Sequence, residues 1–417
     1  MNSIRIHIHD ILLSLSTAES IISPAISRHH EQVAYLAVRL AEEMGFSQQD
    51  REDIFLAGLV HDIGALSLKE RLEIIEEEPV NANSHAFRSA RLFEGFGPMK
   101  TAAGIIRYHH LPWNRGRGAH FGEEAVPKAS HILHLADRTC IRLDPGRSTL
   151  SQVQEVLRAI EDQTETMFVP EQVEALRALA GRDFIWLDIM SRSPVNKLPE
   201  DHIHISVQGT EDLIDLAVVF SHIIDFRSRF TSRHSAGVAK TAERLAEIVG
   251  FSPNECKMML VAGYLHDLGK IAIDNRILDK PGRLDREELG TMRSHTYYTY
   301  HLLRMIPQFG EINAWAAFHH ERLDGTGYPF HLRGEEMSLG SRIMAVADVF
   351  TAISEDRPYR RGMDAELTVG VLRGMVSSGA LDSGVTEQLI SHFEEINSLR
   401  EVSQREAGEY YEQFLRI

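Results

Sequence analysis

Apolar residues recur at helical spacing along most of this chain. Between Ser27 and Gly45 they fall three and four positions apart, at Val33, Leu36, Ala37, Leu40, Ala41 and Met44. This is the period of an amphipathic helix, and Gly45 is a typical residue at a helix C-terminus. A second helix is predicted from Gln48 to His61. The first part of the chain is therefore predicted to be a helical pair.

The same periodicity continues further along. Helices are predicted within 151–180, over 211–230, and over the closing runs 365–376, 385–399 and 407–417. Strand-like alternation is limited to Ile203, Ile205 and Val207, in an irregular stretch that also contains Pro194 and Pro199. The pattern predicts an all-α protein whose linker has little or no β structure.

The polar positions within these helices repeat between the two halves. His61 follows His29 by 32 positions, and His266 follows His234 by the same 32. The step from His85 to the doublet His109-His110 is 24, as is the step from His295 to His319-His320. Asp137 and Asp348 close the two sets. An internal repeat of half a chain indicates a duplicated domain.

Length agrees with two domains. The 417 residues exceed the size at which single hydrophobic cores stop growing. We predict an N-terminal domain at 1–190, a linker at 191–210 and a C-terminal domain at 211–417.

Composition and charge narrow the function classes. Hydrophobic residues make up 43% and charged residues 25%, as in a soluble globular protein. A formal net charge of −16 argues against general nucleic-acid or anionic-membrane binding, although it allows a small phosphorylated ligand. Cys140 and Cys256 form neither a disulfide framework nor a metal knuckle, and no signal peptide or membrane span is visible, so we expect a cytoplasmic protein.

The repeated residues are candidate metal ligands. Imidazole and carboxylate without thiolate suit iron, manganese or zinc, and seven ligands are too many for one tetrahedral ion. We expect two ions bridged by Asp267, with Gly269 letting the chain bend after the doublet. The C-terminal ligand set is His234, His266, Asp267, His295, His319, His320 and Asp348. The N-terminal set is His29, His61, Asp62, His85, His109, His110 and Asp137.

The C-terminal half resembles the HD-GYP family, the bacterial cyclic-dinucleotide phosphodiesterases among the HD metal-phosphohydrolases. The resemblance rests on the ligand spacing, on Lys270, on the phrase from His319 to Pro329, and on Asp-Arg-Pro-Tyr-Arg at 356–360, and it covers roughly 225–400. Residues 27–140 resemble the same HD fold without the signature loop. The architecture expected is two tandem HD-type helical domains.

The resemblance implies roles for individual residues. One metal would be held by His234, His266, Asp267 and Asp348, and the other by Asp267, His295, His319 and His320. A third metal, held in some family members by a glutamate, is not expected because Phe230 stands at that position. The ions would be Fe or Mn, with Zn or Ni as alternatives. Lys270 and Asp267 would be catalytic, and the substrate would contact Gly327, Tyr328, Pro329, Arg357 and Arg360.

Two function classes follow. The first is an enzyme that hydrolyses cyclic di-GMP, or alternatively hybrid cyclic GMP-AMP, to the linear dinucleotide, with mononucleotide as a further product. The second is a non-catalytic receptor that signals through protein partners. Pairing with a second copy of the chain stays open.

The N-terminal copy has Ala65 in place of the lysine and lacks the Gly-Tyr-Pro loop. We therefore expect a regulatory or docking domain. An effector site that uses Arg115 and Arg117 to bind phosphate is the alternative.

Overall fold

The computed structural model describes residues 5–9, 11–15, 28–67, 70, 73, 83–199, 206–228, 233–356 and 361–416. The chain divides into two compact units, one within 7–206 and the other within 207–416, and residues 5 and 6 group with the second. Both units are built almost entirely of helices, so the predicted all-α tandem architecture is confirmed.

In the N-terminal unit the ligand candidates His29, His61, His85 and His109 lie at or close to helix ends. In chain order they are α1 His29–Glu43, α2 Gln48–Val60, α3 Asn83–Phe93, α4 Lys100–Arg107, α5 Lys128–Ile141, α6 Thr149–Glu161, α7 Pro170–Ala180 and α8 Asp183–Ile189. Short 3-10 turns lie at Gly97–Met99, Arg117–Ala119 and Val195–Lys197.

The C-terminal unit contains counterparts of α1 to α5 together with further helices. Its helices are α9 Thr210–Asp225, α10 His234–Val249, α11 Pro253–Leu265, α12 Asn275–Leu278, α13 Arg286–Arg304, α14 Gly310–Ala317, α15 Leu339–Ser354, α16 Ala365–Ser377, α17 Ser383–Ser391 and α18 Phe393–Phe414. Its 3-10 turns are Leu268–Ala272, Pro307–Phe309 and Gly334–Glu336.

Strands are short. β1 (Arg5–His7) pairs with β4 (Ser206–Gln208), and β2 (His120–Phe121) forms an antiparallel hairpin with β3 (Glu124–Ala125). β4 lies in the stretch predicted to be a linker with at most one strand. Within the described ranges, no helix combines the length and apolar character needed to cross a bilayer.

The predicted boundaries of the last helices were wrong. Two helices were predicted at 385–399 and 407–417, with a break between them. In the structure the break lies earlier, at His392, and α18 continues without interruption through residues 400–406. The apolar period is interrupted because α18 buries two polar side chains, Arg400 and Gln404. These side chains have partners inside the unit, described below.

A close helix crossing positions the first histidine of each set near the doublet. A Cβ added to Gly58 on α2 would lie 2.6 Å from Ala34 Cα on α1, and one added to Gly263 on α11 would lie 2.4 Å from Ala239 Cα on α10. Only glycine allows the two backbones to approach so closely. The same Gly–Ala contact therefore recurs at equivalent positions in both units.

Candidate metal centre

The doublet His266-Asp267 lies directly after α11, before the 3-10 turn Leu268–Ala272. Gly269 follows the doublet, and its role is in helix packing, which the sequence did not indicate. A Cβ at Gly269 would lie 1.9 Å from the carbonyl oxygen of His295, so the glycine lets α13 pack against the turn rather than letting the chain bend. Thr299 Oγ1 then accepts from Gly269 N–H at 2.9 Å and donates to His266 O at 3.0 Å.

Three histidines are fixed in the same way. Nδ1 of His266 lies 2.7 Å from Gly263 O, Nδ1 of His295 lies 2.6 Å from Met292 O, and Nδ1 of His319 lies 2.6 Å from Ala316 O. A carbonyl oxygen can only accept, so Nδ1 carries the hydrogen in each ring. The lone pair of each neutral ring therefore lies on Nε2.

These Nε2 atoms converge on the two oxygens of Asp267. His266 Nε2 lies 3.2 Å from Oδ2, whereas His295 Nε2 lies 3.3 Å from Oδ1 and His319 Nε2 4.0 Å from Oδ1. On the Oδ2 side, His234 Nε2 lies 3.2 Å from Asp348 Oδ1. Asp267 thus separates one ligand group, His234, His266 and Asp348, from another, His295, His319 and His320.

His320 differs from the other histidines. Its Nδ1 lies 3.5 Å from Asp348 Oδ2, and its side chain is 32% exposed while those of His266 and His319 are almost completely buried. Among these ligand candidates, His320 is therefore the one most accessible to solvent.

Burial and charge set the protonation of the cluster. Burial lowers the pKa of His295 to about 3, so its ring stays neutral. Burial also opposes charge on His234, but Glu355 and Asp348 outweigh it and raise the pKa of His234 to about 10. Burial would raise the pKa of Asp267, yet the charges of Lys270 and His266 hold that pKa well below its usual value.

The donor geometry fits metal ions. Bonds of about 2.1 Å place neighbouring donors about 3.0 Å apart at right angles and about 3.4 Å apart in a tetrahedron. The separations of 3.2 and 3.3 Å around Asp267 and Asp348 agree with these values. His266 Nε2 is buried and makes no hydrogen bond to any described residue. A cation would satisfy this lone pair.

Both halves match the HD domain family, at residues 26–141 and 218–385. Over 381 residues the chain is 30% identical to the 3'3'-cGAMP-specific phosphodiesterase 1 of Vibrio cholerae, and the match covers 89% of this chain and 88% of that protein. The chain belongs to the HD-GYP family of cyclic-dinucleotide phosphodiesterases. The resemblance inferred from motifs, and with it a metal-dependent hydrolase, is confirmed.

Other relatives match this HD-GYP protein over different lengths. A cyclic di-GMP phosphodiesterase response regulator of Xanthomonas campestris is 42% identical over 148 residues, which cover 34% of this chain and 39% of that protein. A crystal structure of a cyclic GMP-AMP specific phosphodiesterase of V. cholerae has a TM-score of 0.63 and 23% identity, covering 94% of this chain and 98% of that chain. That similarity shows a shared fold.

Glu355 is a contact of the HD-GYP site that the sequence did not reveal. Its Oε2 lies 3.2 Å from His234 Nδ1, on the ring edge opposite Asp348, and accepts from Gln404 Nε2 at 3.0 Å. Arg400 in turn donates to Gln404 Oε1. A polar chain from α18 therefore orients the first histidine of the ligand set, which is how outer partners tune metal ligands.

A cavity of about 340 Å³ opens beside the ligands. Lys270 lines it and donates from Nζ to Asp267 Oδ2. Buried Arg227 fixes the segment after Lys270, because its guanidinium donates to Lys270 O at 3.0 Å, to Ile273 O at 3.0 Å and to Asn275 Oδ1 at 2.8 Å. The sequence contains no periodic signal for this arginine.

The signature loop contributes one aromatic ring to the cavity. Tyr328 lines the cavity, 5.0 Å from the His320 ring, and the Arg293 guanidinium stacks 4.4 Å from its centroid. Gly327 has a packing role, since a Cβ there would lie 2.3 Å from Arg322 N. Pro329 follows on the same loop. Arg357, Arg360 and Phe230, to which the sequence also assigned roles, lie outside the described residues.

The N-terminal unit holds a second cluster of the same form. Asp62 Oδ2 faces His61 Nε2 at 3.3 Å, and Asp62 Oδ1 faces His85 Nε2 at 3.2 Å and His109 Nε2 at 3.4 Å. His29 Nε2 lies 3.0 Å from Asp137 Oδ1. The sequence-predicted ligands of both sets are thus brought together. Two neighbours were missed: His30, which groups with His61 and Asp62, and Arg138, which pairs with Asp137.

Proposed function

We propose that the C-terminal unit is a two-metal phosphodiesterase that opens a cyclic dinucleotide to its linear form. The observation that carries this proposal is the position of Asp267, whose two oxygens face separate histidine groups at one end of a cavity. The first ion would bind among His234, His266, Asp267 and Asp348, and the second among Asp267, His295, His319 and His320. The ligand chemistry favours Fe or Mn over Zn or Ni only modestly.

The ions would supply Lewis-acid activation of water and neutralise the phosphodiester charge. The protein's own groups do the rest. Asp267 holds the two ligand groups in register, and Lys270 presents its ammonium to the cavity, where it can stabilise charge on the phosphate and protonate the departing ribose oxygen. Tyr328, backed by Arg293, offers an aromatic face to a base.

The substrate we propose first is 3'3'-cGAMP. The relative that matches through nearly the whole chain is specific for it, whereas the cyclic di-GMP phosphodiesterase of X. campestris matches 34% of this chain. Cyclic di-GMP, which the sequence favoured, is the second candidate. Purified Mn²⁺-loaded protein should be given each cyclic dinucleotide, and the products separated by chromatography. Equal or faster turnover of cyclic di-GMP would reverse the order.

The same assay separates an enzyme from a receptor. Asp267→Asn should lose turnover together with the metal of the C-terminal unit, because an amide cannot replace the charge of a carboxylate between two cations. Binding of a cyclic dinucleotide without any turnover by metal-loaded wild type would instead support the receptor. We propose a reducing cytoplasm as the compartment, and Cys140 and Cys256 are both free and buried.

For the N-terminal unit we propose a regulatory or docking role without catalysis. Ala65, fully buried, stands in place of Lys270. An effector loop at Arg115 and Arg117 is less well supported, because backbone N–H groups of residues 113–118 already donate to carbonyls of the same unit, among them Trp113 N to Met167 O at 3.0 Å. Direct nucleotide binding that Arg115→Ala abolishes would favour the effector site. Docking predicts lower activity or stability when the chain starts at Gly209.

A further inference from the structure

The N-terminal cluster contains buried nitrogen and oxygen atoms without hydrogen bonds of good geometry. Nδ1 of His61 lies 2.9 Å from Gly58 O, and Nδ1 of His109 lies 2.7 Å from Ile106 O, so both rings direct Nε2 inward. Five buried atoms make no hydrogen bond to any residue the structure describes: His29 Nε2, His61 Nε2, His109 Nε2, Asp62 Oδ1 and Asp137 Oδ1. Burying such groups without partners is costly.

Donor separations match those around an ion. The neighbouring pairs are His29 Nε2 and Asp137 Oδ1 at 3.0 Å, His85 Nε2 and Asp62 Oδ1 at 3.2 Å, and His109 Nε2 and Asp62 Oδ1 at 3.4 Å. Donors bonded at about 2.1 Å stand about 3.0 to 3.4 Å apart. As in the C-terminal unit, the groups lie on either side of one aspartate.

The cluster is also more closed than the C-terminal one. His110 is 3% exposed, whereas the side chain of His320, its counterpart, is 32% exposed. Asp137 Oδ2, the oxygen that corresponds to the one facing His320, is bound by Arg138 Nε at 2.9 Å and Nη2 at 2.8 Å. Structural metal sites are closed, whereas catalytic sites keep an open position.

We propose that the N-terminal cluster is a closed structural metal site. It takes two divalent ions of the Mn²⁺ and Fe²⁺ class on either side of Asp62. One ion lies among His29, His61, Asp62 and Asp137, and the other among Asp62, His85, His109 and His110. Arg138 orients Asp137 by holding its second oxygen, and His30 lies beside the first position. The ions stabilise the unit and take no part in turnover.

Metal content of the full-length chain tests the site independently of activity. Wild type, Asp267→Asn, Asp62→Asn and the double variant are loaded with Mn²⁺, desalted and measured by plasma mass spectrometry. Each single variant should retain about half of the wild-type metal, and the double variant almost none. His120→Gln, at an exposed N-terminal histidine, is the control and should match wild type.

Asp267→Asn decides the question even if Asp62→Asn does not fold, because its N-terminal unit is unaltered. Metal-free Asp267→Asn, or wild-type metal content in Asp62→Asn, would overturn the proposal. A second measurement follows melting of Asp267→Asn with Mn²⁺ and with a chelator. Bound ions should raise the melting temperature, since a ligand that binds only the folded state stabilises it. Identical melting curves would contradict a structural role. These results leave the phosphodiesterase proposal untouched, since that rests on turnover by the wild type.

Discussion

Replacing Glu355 should weaken metal binding without removing any metal ligand. Its Oε2 is 3.2 Å from His234 Nδ1 and is itself held by Gln404 at 3.0 Å. Its side chain is only 9% exposed, so water does not readily replace it. In Glu355→Ala the ring of His234 loses the acceptor that keeps Nε2 directed at the ion, and the buried amide of Gln404 loses a partner.

The expected size follows from that contact. Loss of an outer partner of a metal-bound histidine costs about 10- to 100-fold in metal affinity, equivalent to about 1.4 to 2.7 kcal/mol. Glu355→Gln keeps an acceptor oxygen without the charge, so its effect should be smaller. Glu409→Ala, an exposed glutamate on the same α18, is the matched control.

The assay is phosphodiesterase activity as a function of free Mn²⁺. Because Glu355 acts through His234 and does not line the cavity described above, the half-activation concentration should rise about 10- to 100-fold while the plateau stays near wild type. If only the C-terminal ions take part in turnover, as proposed, ions bound at the N-terminal cluster do not shift this half-activation concentration. An unchanged midpoint in Glu355→Ala would refute the reasoning, and a lower plateau at saturating Mn²⁺ would give Glu355 a different role.

Three further outcomes are expected. Lys270→Met should keep its metal and lose turnover, and unchanged turnover would leave Lys270 without a catalytic role. Gly269→Ala should lower the free energy of unfolding by about 1–3 kcal/mol or more, because the new Cβ meets His295 O; Gly290→Ala, with open space around it, should instead be neutral or stabilising in denaturant titrations. Burial lowers the pKa of His222 to about 4, so the unfolded chain takes up a proton near pH 6.5 that the folded chain refuses. Stability should fall as pH drops from 6.5 towards 4, less steeply in His222→Leu, and equal slopes would contradict this.

The sequence predicted the helices and ligands that depend on local spacing. The doublets and the steps of 32 and 24 positions occur in both halves, so a comparison of the halves reveals them. Glu355 was not predictable, since its partner His234 is 121 positions away and only tertiary packing joins them. His30 was overlooked because its counterpart is Ser235.

The wrong boundary predicted for α18 also results from tertiary contacts. Arg400 and Gln404 fall on the buried face of α18, where apolar residues are expected, and the apolar period is lost there. Polar residues occupy this face because they lead to Glu355 and the first histidine. The place where the pattern fails is thus a place where the helix supports the site. A single sequence shows the irregularity but not its partner.

The glycine contacts of both units affect how loss-of-function variants should be sorted. Any substitution at Gly58, Gly64, Gly263 or Gly269 adds a Cβ within 2.6 Å of a neighbouring atom. In a genetic screen, such variants would be recovered among the inactive ones although they alter no reacting group. These glycine variants should be recognisable by low protein abundance in the cell. Lys270 variants should instead accumulate to normal levels and lack phosphodiesterase activity.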